Sequence, residues 1–396
     1  MELKLDAAKW RRLRGAARVL DALGASEGLT RYVGGAVRDE LLGLTVSDVD
    51  LATRIRPEEV VRRLEAARIK AVPTGIDHGT ITAVSDGHPF EVTTLRQDVS
   101  TDGRRATVAF TDDWQADAAR RDFTINALFA DPDSGEIFDY FDGLADLLER
   151  RVRFIGEPLQ RIAEDHLRIL RFFRFHARFG AGEPDAASLQ ACTARANDLM
   201  ALSRERIADE LLKLLGLPAP AATVGIMLRH GILRPVLPEI EPERLARLEA
   251  LMASERAAEV APDALRRLSS LLPRDAALAE QVAVRLKLSK KARKRLACAA
   301  DPSLEASPEA LAYRCGLDCA TDRLLLGGRT AEAAELGEWR KPVLPIGGGA
   351  LIARGLREGP IVARTLKRIE DRWVADGFPS GPAFEALVDE TLGSAA

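Results

Sequence analysis

Three textures of apolar and polar positions follow one another along the chain. Up to about Leu23 the apolar residues recur at the helical period, which predicts one amphipathic helix. From Thr30 to Asp142 the pattern shortens into β-rich runs separated by glycine turns. It predicts strands at 30–33, 49–52, 71–73, 80–84, 90–94 and 137–139, with helices at 36–42 and 57–67 between them, and hence an α/β unit around one mixed sheet. From about Leu144 alanine, leucine, arginine and glutamate dominate at helical spacing, so the second half is expected to be mostly helical. Breaks in it fall at 180–184, 218–220, 235–242 and 302–308, and no fixed-period repeat is present.

Length and charge narrow the picture. A chain of 396 residues is too long for one ordinary core and implies two to four domains. With 57 basic and 60 acidic residues the net charge is −3, which argues against a uniformly basic coat for nucleic acid, so any RNA contact must come from local patches. Cys192, Cys298, Cys315 and Cys319 show no paired CxxC spacing, and no signal peptide or apolar run of membrane-spanning length occurs. The expectation is a cytoplasmic protein, without a membrane or an obligate protein partner, whose thiols are reduced. Cys315 and Cys319 lack a second ligand pair nearby and read as buried helical cysteines rather than zinc ligands. The five histidines supply no His-Asp doublet, which speaks against a metal-dependent phosphohydrolase domain.

The densest chemistry lies in GGAVRDELLGLTVSDVD, residues 34–50. In extended backbone the side chains of residues i and i+2 share a face, so Asp48 and Asp50 project together. Two carboxylates on one face repel unless a cation sits between them, and oxygen-only ligation suits magnesium holding a phosphate-bearing substrate. Gly34 and Gly35 let backbone approach a triphosphate, and Arg38 can reach its oxygens from the following helical turn. Together these are the parts of a nucleotidyl-transfer site.

Two further clusters add to it. In RRDFTINAL, residues 120–128, Asp122 is placed to cap a following helix, Arg121 is sited for a triphosphate beside that helix end, and Arg120 pairs with a surface carboxylate. In EDHLRILRFFRFHARFG, residues 164–180, Asp165 and Arg168 stand at i and i+3 on one expected helix, with Arg171 and Arg174 continuing the spacing and Leu167, Leu170, Phe173 and Ala177 opposite. A carboxylate accepts from an exocyclic amine while a guanidinium donates to an unprotonated ring nitrogen beside it. Cytosine and adenine both present that pair of groups. Guanine and uracil present a carbonyl beside a ring N–H and would leave buried groups unpaired, at roughly 1–3 kcal/mol each.

These residues carry a resemblance. The chain is similar to the class II tRNA nucleotidyltransferases, the CCA-adding enzymes of the polymerase β superfamily, and to their relatives the bacterial poly(A) polymerases. GGAVRDELLG with SDVD resembles the family's metal motif, RRDFTINAL its second motif, EDHLRILR its nucleotide-selecting motif, and ALSRERIADELLKLL, residues 201–215, the helical motif that follows. The resemblance implies an α+β fold: an N-terminal helix (1–27), a polymerase β-like nucleotidyltransferase head with a mixed sheet (28–143), an all-helical neck carrying the selecting motif (144–217), and a helical body and tail that bind tRNA (218–396). It implies that Asp48 and Asp50 hold Mg2+, that Gly35, Arg38 and Arg121 bind the nucleotide phosphates, and that Asp165, Arg168, Arg171 and Arg174 line the base-side pocket. Glu91 in FEVTTLR is a candidate for the third carboxylate that many relatives carry.

The implied activity is template-independent addition of C, C and A to the tRNA 3′ end from CTP and ATP, by in-line attack of the RNA 3′ hydroxyl on the α-phosphate. The alternatives are a poly(A) polymerase, a CC-only or A-only enzyme, and an RNA-binding module with a decayed head. VPTGIDHGTI, residues 72–81, looks like the CCA branch. RQDVSTDGRRATVAF, residues 96–110, reads as a hairpin around Asp102 and Gly103; in the family a mobile loop here helps the switch from C to A addition. KLSKKARKRL, residues 287–296, could contact tRNA phosphates or form a solvated face. LPIGGGALIARGLREGP, residues 344–360, resembles a C-terminal element with a glycine turn before a short helix and a GP stop, with Ala350 where the family commonly has an acid.

Overall fold

Along the strand Thr80–Ser85, Ile81, Ala83 and Ser85 are buried while Thr80, Thr82 and Val84 are half-buried, the period-two pattern of a strand with one face against a core. It belongs to a seven-stranded sheet in a computed structural model that describes residues 4–46, 48–102, 105–301 and 307–393. The strands are β1 (Thr30–Val33), β2 (Asp50–Thr53), β3 (Lys70–Gly75), β4 (Thr80–Ser85), β5 (His88–Thr94), β6 (Arg96–Asp102), β7 (Arg105–Phe110), β8 (Phe129–Ala130) and β9 (Ile137–Phe138). Seven of them pair in the order β3-β4-β5-β2-β1-β8-β9, while β6 and β7 form a separate two-stranded sheet. Only β2 and β5 run parallel, which makes the large sheet mixed, as the alternating pattern predicts. β2 is central, and its Leu51, Ala52 and Thr53 are all buried. The helices Gly35–Leu41 and Pro57–Ala66 fall within a residue of their predicted bounds.

Three local readings need correction. The single helix expected up to Leu23 is two, Ala7–Arg11 and Ala16–Ala22. Gly15 separates them at φ 85°, and a Cβ there would lie 2.5 Å from the Ser85 carbonyl oxygen, so the close approach to β4 needs glycine. β8, at two residues, is too short to leave a periodic signal. Gly359 and Pro360 start a helix, Pro360–Ala375, rather than stopping one, because the missing proline N–H is harmless in the first turn. The 96–110 hairpin forms, with its Gly103 outside the described residues.

The contacts divide into two compact units, Met1–Leu211 with Ile226–Val236, and Leu212–Gly225 with Leu237–Ala396. In the first, Val33, Ala52, Leu95, Trp114, Phe129 and Ile155 form one core cluster. The second is helical among its described residues, with helices interrupted at the expected 218–220 and 235–242; the expected break at 302–308 lies mostly outside the described residues, and one between Arg285 and Lys290 has no proline or glycine to signal it. Its interior holds an ion network: Arg267, 2% exposed, donates to Glu255 Oε2 at 2.9 Å and to the carbonyls of Leu215 and Leu217. Arg266 bridges Glu255 and Asp322, so each buried charge is paired. One expectation fails here. Cys298 and Cys319 form a disulfide, because the helices Lys290–Ala300 and Leu317–Leu326 pack with those Cα atoms 6.3 Å apart, a proximity that linear spacing cannot reveal. Cys192 and Cys315 are free.

Candidate active site

Asp50 opens β2, and the parallel register sets Glu91 of β5 beside it. Register neighbours on adjacent strands share a face, so the two carboxylates are held together by the backbone ladder. Burial, together with the charges of Glu91 and Asp48 and against that of Arg121, pushes the Asp50 carboxyl up to about 6. Like-charged carboxylates crowded in this way are relieved by a divalent cation, and an oxygen-only donor set fits a hard one. Asp48 stands in irregular backbone ahead of β2 and is exposed. It lines a cavity of about 210 Å³ with His88 and Phe90, apart from the larger one that Asp50 lines.

Gly34 joins β1 to the helix Gly35–Leu41 at φ 71°. A Cβ there would lie 3.3 Å from Arg121 Nη1, so both the turn and the closeness of that guanidinium depend on glycine. Arg38, one turn into the helix and 6% exposed, donates from Nε to Asp39 Oδ1 at 2.7 Å and from Nη1 to Asn126 Oδ1, with its guanidinium over the Phe179 ring at 4.0 Å. It is fixed before any ligand arrives.

The second cluster differs from its sequence reading. No α-helix follows Asp122, only the 3-10 turn Thr124–Asn126, because Thr124 N–H donates to the Arg153 carbonyl and Phe123 bridges to Phe154. Asp122 Oδ1 instead accepts from Asn126 Nδ2 at 2.9 Å, and Oδ2 accepts from Arg171 Nε and Nη2 at 2.9 and 2.5 Å. Burial alone would push this carboxyl up, but the Arg171 charge and the hydrogen bonds from Asn126, Arg171 and Phe123 hold it below the usual range. Arg121 donates from Nη2 to Asp117 Oδ2 at 3.0 Å, and Arg120 from Nε to Asp117 Oδ1 at 2.8 Å. Asp117 is 1% exposed, so the partner of Arg120 is a buried carboxylate rather than a surface one.

The third cluster is also rearranged. One helix, Pro158–Glu164, ends before Asp165, which is extended at φ −151°, and the next starts at Arg168. Asp165 and Arg168 therefore do not share a helix. Asp165 Oδ1 accepts from Leu167 N–H at 3.1 Å and Oδ2 from Arg206 Nη2 at 2.8 Å. Arg168 Nη1 donates to the Arg161 carbonyl at 2.8 Å and to Glu164 Oε2 at 2.5 Å. On the helix Arg168–Phe179 the apolar face is broader than expected, with Ile169, Phe172, Phe175 and Phe179 buried besides Leu170 and Phe173. Arg174 Nε donates to Glu210 Oε2 at 2.6 Å.

A cavity of about 470 Å³ gathers most of these groups. Gly35, Arg38, Asp50, Arg121, Arg168, Arg171 and Arg174 line it, with Gly34, Arg120, Asp122, Asn126 and Phe175 among them; Asp48 and Asp165 do not. Sequence reasoning passes over Asp117, Asn126, Arg161, Arg206 and Glu210. Three of these leave a local trace: Asp117 three and four residues before Arg120 and Arg121, Asn126 four after Asp122 and Arg161 three before Glu164; Arg206 and Glu210 meet their partners only across distant segments.

Known proteins match this chain along most of its length. Residues 30–153 match the Poly A polymerase head domain, and residues 183–244 match the family described as the probable RNA and SrmB-binding site of polymerase A. The mitochondrial CCA tRNA nucleotidyltransferase 1 of Mus musculus is 36% identical over 373 residues, covering 88% of this chain and 83% of that protein. The CCA-adding enzyme of Levilactobacillus brevis is 32% identical over 382 residues, 91% and 93% of the two chains. The crystal structure of the Bacillus stearothermophilus CCA-adding enzyme in complex with CTP superposes with a TM-score of 0.72 at 26% identity, covering 96% of this chain and 98% of that one. The chain belongs to the family of CCA tRNA nucleotidyltransferases.

Proposed function

We propose that this chain works in the cytoplasm as a CCA-adding enzyme, extending the 3′ end of tRNA by C, C and A from CTP and ATP and releasing pyrophosphate. One observation carries the proposal: Asp50, paired in strand register with Glu91, lies close enough to Arg121 to feel its charge, in the chain of a CCA-adding family member. Residues 1–27 serve as an N-terminal helical segment, 28–143 as the catalytic head, 144–217 as the neck and 218–396 as the tRNA-binding body and tail.

Asp48 and Asp50 would hold Mg2+, with Glu91 beside them. That cation, when bound, supplies a lowered pKa for the RNA 3′ hydroxyl and charge neutralisation on the departing pyrophosphate. The protein's own groups do the rest. Arg38 and Arg121 bind the triphosphate, and Gly35 lets the helix end approach it. Asn126 and Asp117 fix those two guanidiniums, so little side-chain freedom remains to be lost when the nucleotide enters. Arg171 and Arg174, anchored on Asp122 and Glu210, shape the base side of the cavity.

Asp165 and Arg168 select the base. A carboxylate has about four acceptor positions, so Asp165 can keep Leu167 N–H and Arg206 and still accept the N4 amine of cytosine or the N6 amine of adenine. Arg168 would donate to the neighbouring ring nitrogen. The deciding experiment incubates the protein with Mg2+ and tRNA lacking its 3′ CCA, giving CTP and ATP separately and together. Two C residues with CTP alone, and CCA that stops after one A with both, are expected. Long A tails on generic RNA would instead identify a poly(A) polymerase.

A further inference from the structure

Beyond the nucleotide site, three of the four cysteines converge. Cys298 lies on the helix Lys290–Ala300, Cys315 is the last residue of Pro308–Cys315, and Cys319 sits in the first turn of Leu317–Leu326. Gly316, at φ 87°, turns the chain between the last two helices. As a result the three sulfur atoms lie within 4.8 Å of one another. Cys298 and Cys319 are joined, while Cys315 keeps a free thiol whose Sγ donates to the Leu311 carbonyl at 3.0 Å. The fourth cysteine, Cys192, is fully buried on the helix Ala186–Ala194 and outside this group.

A purely structural disulfide needs two sulfurs, whereas here a third stands within reach of both. Thiolate ligands select zinc-class cations, and a tetrahedral site with Zn–S bonds of about 2.3 Å places its sulfurs about 3.8 Å apart, within the 4.8 Å that bounds the three sulfurs once the bonded pair separates on reduction. Three thiolates around a divalent ion leave one net negative charge. Lys291, Lys294 and Arg295 line the same cavity of about 370 Å³ beside one carboxylate, Asp318, so its cations outnumber its anion and offset that charge.

We propose that, once the Cys298–Cys319 bond is reduced, Cys298, Cys315 and Cys319 together bind one zinc-class cation, so that the disulfide and the metal are alternative states of one three-sulfur site. The chemistry balances. Two glutathione-class thiols reduce the disulfide, yielding two cysteine thiols and one glutathione-type disulfide; the cation then displaces the three thiol protons to solvent. The bound ion would tie three helices together without engaging any group at the nucleotide cavity.

Cobalt titration of the full chain tests this. After phosphine reduction, with four thiols counted in denaturant, added Co2+ should produce sulfur-to-cobalt charge-transfer absorbance that saturates at one equivalent and is displaced by Zn2+. The oxidised chain should give none. Cys315→Ser, a half-exposed position, should still form the disulfide but bind cobalt at least tenfold more weakly, with nucleotide incorporation unchanged. A fully reduced chain without the absorbance, or a Cys315→Ser chain that binds as well as the parent, would overturn the proposal.

Discussion

Glu91 stands in parallel register with Asp50, so the backbone ladder of β2 and β5 sets these two carboxylates side by side. Residue spacing alone does not bring them together, since 41 positions of chain separate the two, and the proposed metal site is tested through Glu91. Glu91→Gln should raise the Mg2+ midpoint for nucleotide incorporation and lower the rate about 10- to 100-fold, the usual effect of removing a group that supports metal ligands. Asp50→Ala should abolish incorporation. A Glu91→Gln enzyme with an unchanged Mg2+ midpoint would remove Glu91 from the metal site.

Acid stability should report the Asp117 clamp. Burial raises the Asp117 carboxyl, but the charges and hydrogen bonds of Arg121 and Arg120 outweigh it and hold it below the usual carboxylate range. A depressed folded-state pKa stabilises the protein above the unfolded value of about 3.9, and that contribution is lost as pH falls through the folded value. Asp117→Asn should therefore be less stable than the parent at pH 7, by about 3 kcal/mol for a buried pair broken on one side. The gap should narrow below about pH 4. Denaturant titrations of both proteins across that range check it; a gap independent of pH would show that the clamp is not electrostatic.

Gly34 tests the triphosphate side. At φ 71° an alanine is strained by about 1–3 kcal/mol, and its Cβ would meet Arg121 Nη1 at 3.3 Å. Gly34→Ala should raise KM for both CTP and ATP through the displaced guanidinium, and a similar rise for both separates phosphate binding from base choice. An enzyme with wild-type KM values would show that Arg121 does not depend on this turn.

Legibility in the sequence follows the range of the forces involved. β4 and β5 are legible because period-two burial is local, and so are the proline breaks at 218–220 and 235–242. Arg38, Asp50 and Arg121, which line one cavity, stand out in the sequence because charge and glycine spacing survive in linear order, whereas Asp48, singled out by the same spacing, lines a different one. The register of Asp50 with Glu91, the hold of Asp122 on Arg171 across 49 residues and the meeting of Cys298 with Cys319 are not, since only packing of distant segments brings them together. Asp165 shows the opposite error: helical spacing with Arg168 is present in the sequence, yet the chain leaves the helix at Asp165, whose carboxylate is instead held by Leu167 N–H and Arg206.

That break sharpens the account of nucleotide choice. Because Asp165 is extended, its carboxylate is oriented by Leu167 N–H, at the cap of the helix that carries Arg168, and by Arg206, rather than by helical spacing. Removing it should affect discrimination more than catalysis. Asp165→Ala should keep CTP incorporation within about tenfold of the parent while raising UTP and GTP incorporation relative to CTP and ATP by about 10- to 100-fold, the worth of one unpaired buried group. Arg206→Ala, which frees one carboxylate oxygen without removing the acceptor, should relax choice less than Asp165→Ala. Competition assays with all four nucleotides on tRNA lacking CCA measure both variants. An Asp165→Ala enzyme that still excludes UTP and GTP completely would mean that the bases are chosen by cavity shape rather than by paired side chains.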